Sequence, residues 1–153
     1  MGRIIEFLTI NVATGDLDAT LAKWRRLGLA SLPPAHMPTP PIEITDVTVP
    51  LGPAGAVSVI AATGPGSPVA RFLARRGEGA YSIAVRVDSL ADVMREWDAE
   101  GIQWVRAEPF ELPPGSPAGR YLPRRTLVNW VKPSSLGGIM LEVFEFEADA
   151  EHL

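Results

Sequence analysis

The chain has 153 residues, 46% of them apolar and 21% charged, which is enough to bury one core and short for two independent domains. A formal net charge of −4 with scattered basic residues excludes the electrostatic footprint of a nucleic-acid-binding protein. The absence of cysteine excludes a disulfide framework, a thiolate metal site and a cysteine nucleophile.

The amino terminus reaches a charge before any apolar run of signal-peptide length, and no stretch has the apolar length of a membrane span. We therefore expect a single cytoplasmic domain over residues 1–153, without nucleic-acid or membrane partners.

The first half of the chain predicts alternating strands and helices. Residues 4–12 alternate as a strand with two different faces, one carrying Leu8, Ile10 and Val12 and the other Phe7, Thr9 and Asn11. A helix is expected over residues 17–27, ended by Gly28. The proline-rich segment 31–41, which contains His36, predicts a long irregular connection. Residues 42–49 and 56–61 then predict a hairpin, and Ser67-Pro68 opens a second helix.

The second half repeats the first. Residues 82–87 predict a strand, and the following helix contains Trp97, which is followed by Gly101 at the same spacing as Trp24 is by Gly28. This spacing favours an internal repeat over the alternative of two unrelated amphipathic helices that each follow a strand. Further strands are expected at residues 103–106, 126–131 and 138–145, with an irregular loop rich in proline and glycine over residues 109–123.

Two segments carry a resemblance to a known family. Residues 64–79, GPGSPVARFLARRGEG, and residues 133–142, PSSLGGIMLE, resemble the linker helix and the last loop and strand of methylmalonyl-CoA epimerases. These proteins form a branch of the vicinal-oxygen-chelate superfamily, which includes the glyoxalases and bleomycin-resistance proteins. The resemblance implies an α+β fold of two βαβββ modules, residues about 4–62 and 80–147, whose curved sheets enclose a central cleft. Helix 67–76 would link them.

The resemblance also implies a divalent metal held by four strand positions, which in this sequence are Phe7, Ser58, Ser82 and Glu142. Phenylalanine offers no ligand atom and a neutral hydroxyl is a poor one, so we expect no metal and no other cofactor. A relocated site that uses His36 with Glu43 or Asp46 is the alternative. The base that the family places after the long loop falls on Pro41, with Glu43 two residues later.

Strand alternation predicts a pocket on the face opposite the helices. Its expected residues are Phe7, Thr9, Asn11, Ser58, Ile60, Ser82, Ala84, Arg86, Met140, Glu142 and Phe144. Glu142, between Met140 and Phe144, should be largely removed from water, with Arg86 as a candidate partner. It is either a catalytic or ligand-orienting carboxylate or a relic held by hydrogen bonds. Trp130 either lines the pocket or packs in the core, whereas Trp24, Trp97 and Tyr81 are expected to pack.

Two hypotheses on function follow. The first is a metal-independent protein that binds an apolar small molecule with an anionic group, as bleomycin-resistance relatives do. The second is an isomerase or lyase of glyoxalase or epimerase type, acting on a small carbonyl or acyl-CoA substrate with Glu142 as proton carrier. A homodimer is expected in either case, because unpaired strand edges tend to be covered.

Overall fold

The computed structural model describes residues 1–147 and 150–152. Its helices are α1 (Leu17–Arg25), α2 (Pro68–Arg76) and α3 (Leu90–Ala99), with a 3-10 turn at Pro133–Ser135. The chain forms two compact units: residues 9–81 make the first unit, and residues 1–8 with those from 82 onward make the second unit.

The first unit is built on a sheet with the strand order β2-β3-β4-β1. Its strands are β1 (Ile4–Ala13), of which residues 9–13 belong to this unit, β2 (Ala35–Met37), β3 (Ile44–Pro50) and β4 (Ala56–Ala62). β1 runs parallel to β4, and the other neighbours are antiparallel. In chain order the unit therefore reads βαβββ.

The second unit repeats this connectivity, with the strand order β5-β9-β8-β6. Its strands are β5 (Gly79–Val87), which enters this unit at residue 82, β6 (Phe110–Glu111), β7 (Tyr121–Leu122), β8 (Leu127–Val131), β9 (Met140–Glu145) and β10 (Glu151–His152). β5 runs parallel to β9, as β1 does to β4, and β10 pairs separately with β7. The α+β class and the two βαβββ modules predicted from the sequence are confirmed.

Equivalent tryptophans anchor the two main helices. Trp24 packs against a core that includes Leu21, Val47 and Val59, and Trp97 packs against the corresponding core of the second unit. Gly28 and Gly101, which follow the helices, have φ values of 79° and 85°, a conformation that glycine adopts without steric cost. The Trp–Gly spacing thus marks the same packed helix end twice.

Helix α2 belongs to the first unit and packs on the sheet face opposite α1. Val69 forms a buried cluster with Ala13 and Ile60, and Phe72 contacts Tyr81 edge to face at 5.1 Å between ring centroids. Ser67 caps the helix by accepting a hydrogen bond from the Val69 amide at 3.1 Å. The predicted packing role of Tyr81 is confirmed.

Several local expectations were wrong. The segment 31–41 is not wholly irregular, because Ala35–Met37 has no proline and pairs with β3. The loop 109–123 likewise includes β6 and β7. Residues 103–106 form a single bridge, Trp104 with Val131, instead of a strand. Ile10 was expected to face a helix, but it is 40% exposed. The alternation breaks at Leu8 and Thr9, both of which are buried.

Among the described residues, no helix is both long and apolar enough to cross a membrane.

Candidate functional site

A row of buried polar side chains crosses the first unit on the sheet face opposite α1. Thr48, Ser58 and Asn11 stand in register on β3, β4 and β1. Thr9, on the same face of β1, donates a hydrogen bond from Oγ1 to Oδ1 of Asn11 at 2.7 Å. The predicted pocket residues Thr9, Asn11 and Ser58 therefore lie together within this unit.

Asp46 extends this polar row, although the sequence suggests it only as a ligand in a relocated metal site. Ser58 donates a hydrogen bond from Oγ to Oδ1 of Asp46 at 2.8 Å. Burial raises the pKa of the Asp46 carboxyl to about 6, and the hydrogen bond from Ser58 lowers it only in part. The alternation of Asp46 and Thr48 with Val47 and Val49 was the signal that could have placed Asp46 here.

In the second unit, side chains of three strands form a continuous wall on the face away from α3, which we call the β5–β9–β8 wall. Ala84, Glu142 and Trp130 stand in register across it, and Arg86, Phe144 and Val128 make the next row. Ser82 pairs with Met140 at one end. The intervening residues Val85, Val143 and Val131 pack in the core with α3. The predicted residues of this unit are thus brought onto one face.

Glu142 stands in the middle of the wall. Its neighbours along β9, Met140 and Phe144, and its cross-strand neighbour Trp130 are largely apolar, and Trp130 is 9% exposed. The glutamate itself is half-buried instead of being largely removed from water. Its catalytic or orienting role stays a prediction, as does the contact of Trp130 with a ligand.

Arg86 has a different partner from the one that the sequence suggested. Its Nη1 lies 3.5 Å from Oε2 of Glu6, and its guanidinium sits over the ring of Phe146 at 4.4 Å from the centroid. The side chain is 11% exposed, and among the described residues its buried Nε has no hydrogen-bond partner. Arg86 therefore places a positively charged donor where little of its side chain contacts water, and its Nε makes no hydrogen bond to the described residues.

Glu6 is in turn fixed by Tyr121, whose hydroxyl donates a 2.6 Å hydrogen bond to Oε1. This hydrogen bond raises the pKa of the Tyr121 hydroxyl above its usual value. Tyr121 also contacts the rings of Phe146 and His152. No sequence pattern predicts Glu6, Tyr121 and Phe146 as site residues, because they come together only through long-range folding.

The positions of the remaining predicted residues say less about the chemistry of the site. Phe7 lies on β1 and is 41% exposed, and its place in a pocket stays a prediction. His36 is exposed on β2, where Nδ1 lies 3.1 Å from the hydroxyl of Thr45. Glu43 lies beside Gly66, near the start of α2.

A family model described as the Glyoxalase/Bleomycin resistance protein/Dioxygenase superfamily matches residues 9–118. The chain belongs to this superfamily. A comparison with curated protein sequences gave no match.

Solved structures show the same fold over nearly the whole chain. The hypothetical protein BH1468 from Bacillus halodurans C-125 is 22% identical, with a TM-score of 0.79 and 99% of each chain covered. Methylmalonyl-CoA epimerase from Mycobacterium tuberculosis is 21% identical, with a TM-score of 0.77 and coverage of 94% of this chain and 89% of that chain. A variant of the Streptomyces coelicolor epimerase, in complex with 2-nitronate-propionyl-CoA, is 20% identical, with a TM-score of 0.77 and coverage of 95% and 100%.

The residues at the metal positions that the resemblance implies do not fit a divalent ion. Phe7 has no ligand atom, Ser58 gives its hydroxyl hydrogen to Asp46, and Ser82 is fully buried. Over residues 1–147 and 150–152, no group of three or more His, Asp or Glu side chains is arranged to hold a metal. A catalytic divalent site typically needs about three protein ligands, and of the four positions only Glu142 offers a carboxylate.

Proposed function

We propose that the protein is a metal-independent member of the superfamily that binds a small apolar molecule through an anionic group. The observation that supports this most directly is Arg86. Its side chain is 11% exposed, and Nε of its guanidinium has no acceptor among the described residues.

A buried donor without a partner is costly, by about 1–3 kcal/mol and more when it is charged. The carboxylate of Glu6 compensates the charge at 3.5 Å and is shared with the hydroxyl of Tyr121. A ligand carboxylate at Nε would complete the hydrogen bonding of the guanidinium, because planar oxyanions match its geometry.

The rest of the β5–β9–β8 wall suits the apolar part of a small-molecule ligand. Phe144 stands in register with Arg86, and Met140 and Trp130 surround Glu142 one row away. A mostly apolar surface with a few polar groups that fix orientation is typical of small-molecule sites. In this binding site, the carboxylate of Glu142 would accept a hydrogen bond from the ligand.

The solved epimerases also support a small-molecule ligand. One of them holds 2-nitronate-propionyl-CoA and another holds methylmalonyl-CoA. At 19–20% identity they establish the fold alone, so acyl-CoA compounds are only one class to be tested. The expected homodimer and the cytoplasmic location stay predictions from the sequence.

The proposal is tested by measuring metal content and binding together. Protein dialysed against a weak chelator, then exposed to zinc, cobalt, nickel and manganese, should retain far less than one metal per chain in mass spectrometric elemental analysis. Calorimetry should then show that apolar monocarboxylates such as hexanoate and phenylacetate bind equally with and without EDTA. Retention of about one metal ion per chain would contradict the proposal that the protein works without a metal. Ligand binding that EDTA abolishes would contradict it as well.

A second candidate function is an isomerase or lyase, favoured by the position of Glu142 between apolar side chains. If Glu142 carries a proton, the protein should exchange deuterium from solvent into carbon 2 of methylmalonyl-CoA or propionyl-CoA. Glu142→Gln should then slow the exchange by about 100-fold or more, the usual contribution of a general base. If the protein is only a binder, the wild type shows no exchange, and Glu142→Gln keeps most of its affinity.

A further inference from the structure

Tyr121, on β7 of the second unit, holds the carboxylate of Glu6 by a short hydrogen bond. Its hydroxyl donates to Oε1 at 2.6 Å, a length typical of charge-assisted O–H···O bonds. This hydrogen bond raises the pKa of the hydroxyl, so Tyr121 remains a protonated donor near neutral pH. The other carboxylate oxygen, Oε2, lies 3.5 Å from Nη1 of Arg86. Glu6 therefore contacts the tyrosine more closely than the arginine.

The distance between Glu6 and Arg86 is long for a pair of opposite charges with so little water around the cation. Charge-assisted N–H···O hydrogen bonds measure about 2.7–2.9 Å, and the Nη1–Oε2 distance exceeds this range. The side chain of Arg86 is largely buried, where charges attract each other more strongly than in water. An unrestrained carboxylate should therefore move onto the guanidinium and form the two-bonded pair that these groups prefer. The hydrogen bond from Tyr121 is the restraint that opposes this movement.

A carboxylate that closed on Arg86 would compete with a ligand for the guanidinium. The donors of a guanidinium lie in its plane, so every carboxylate approaches along its edge. Nε of Arg86, on this edge, is buried and has no acceptor among the described residues. A closed pair with Glu6 would take up terminal N–H donors and cancel more of the positive charge. Both effects would weaken the binding of a second carboxylate.

We propose that Tyr121 is a positioning residue of the anion site, which holds Glu6 away from Arg86 and so keeps the guanidinium available to a ligand carboxylate. This inference rests on the proposed binding of an anion by Arg86 and extends it. At the observed distance Glu6 compensates part of the buried charge without closing the ion pair. Tyr121 acts through Glu6 and does not itself contact the ligand.

A double-mutant cycle of Tyr121 and Glu6 tests this role. Tyr121→Phe removes the hydroxyl but keeps the ring that contacts Phe146 and His152, and Glu6→Gln removes the competing charge. Titration calorimetry measures the affinities of phenylacetate and its neutral analogue phenylacetamide for the wild type, both single variants and the double variant. Tyr81→Phe is the matched control, because it removes the hydroxyl of the chain's other tyrosine, which packs against α2 in the first unit.

We expect Tyr121→Phe to weaken phenylacetate binding by about 10-fold, as for the loss of one hydrogen bond to a charged group, and to leave phenylacetamide binding unchanged. In the Glu6→Gln background the same substitution should have almost no effect, because no carboxylate remains to close on Arg86. Tyr81→Phe should change neither affinity. The proposal is refuted if Tyr121→Phe leaves phenylacetate binding unchanged. It is equally refuted if the loss persists in the Glu6→Gln background, because Tyr121 would then only support the local structure.

Nitrogen-15 spectra of the guanidinium without ligand separate this inference from the proposed function. The Nη resonances of Arg86 should shift in Tyr121→Phe, as Glu6 forms hydrogen bonds to these nitrogens. The double variant should show no such shift relative to Glu6→Gln alone. Unchanged resonances in Tyr121→Phe would refute the role of Tyr121 whether or not phenylacetate binds. If these resonances shift as expected but phenylacetate binds the wild type and Arg86→Met equally, the anion site is wrong and the restraint of Glu6 by Tyr121 is confirmed.

Discussion

Asp46→Asn is expected to stabilise the folded protein at neutral pH and to leave its stability nearly unchanged in acid. The folded-state pKa of about 6 lies above the ordinary value of 3.8, so the native state binds a proton that the unfolded chain has already released. Wild-type stability therefore falls as the pH rises from 3.8 towards 6, and the loss is complete above 6. A pKa difference of this size corresponds to on the order of 2–3 kcal/mol.

The asparagine keeps the acceptor for Ser58 but carries no charge, so the variant should escape this loss. Urea unfolding of both proteins at several pH values between about 4 and 7.5 measures the difference in the free energy of unfolding. The exposed residue Asp98 provides the matched control, because its replacement by asparagine removes a charge that water solvates in both states. A difference between Asp46→Asn and wild type that does not grow with pH would contradict the burial argument.

The internal repeat is the part of the fold that the sequence determines most clearly. Trp24 and Trp97 occupy equivalent places because each must bury a large ring near the end of its helix. Each helix is followed by a glycine with a positive φ. The face on which each side chain of β5 and β9 lies was equally predictable from the sequence. Alternate residues of these strands lie in the core and on the β5–β9–β8 wall. Helix α2 was predicted from Ser67 and Pro68, whose capping is a local interaction.

The candidate site was predicted only where a single strand decides the position of a side chain. Arg86 was placed on the correct face, but its partner Glu6 was missed because that pairing requires the fold. The hydrogen bond between Tyr121 and Glu6 joins residues 115 positions apart, and no local pattern indicates it. Asp46 was missed as a partner of Ser58 for the same reason, since their contact depends on the β3–β4 register.

Proline explains the errors in the loops. The prolines of segment 31–41 predict an irregular connection, yet a proline removes only its own amide donor. Ala35, His36 and Met37 retain their amides, and three such residues are enough to pair with an edge strand. The strand predicted at residues 103–106 is absent for a different reason. There the backbone makes isolated hydrogen bonds, such as that from the Val105 amide to the Trp130 carbonyl, without a continuous ladder.

Arg86→Met is expected to weaken the binding of phenylacetate by about 10- to 100-fold and to leave that of its neutral analogue, phenylacetamide, almost unchanged. The reason is that hydrogen bonds to charged groups contribute about 1.5–3 kcal/mol, and each 1.4 kcal/mol corresponds to a factor of 10 in affinity. Arg86→Lys should recover only part of the loss, because an ammonium group lacks the Nε donor and the planar fork. Titration calorimetry of the three proteins with the two compounds measures these effects.

The Nε–H resonance of Arg86 in a nitrogen-15 spectrum identifies the atom that binds. Phenylacetate should move this resonance strongly, because Nε of Arg86 has no partner among the described residues, and phenylacetamide should move it less. Arg125 is the internal control, since its Nε already donates to Glu111 at 3.1 Å on the exposed surface. If the Nε–H resonance of Arg86 does not shift while phenylacetate binds, the anion binds at a site other than Arg86. Equal losses of both compounds in Arg86→Met would indicate that the arginine supports the fold of the wall, through its contacts with Glu6 and Phe146, instead of recognising charge.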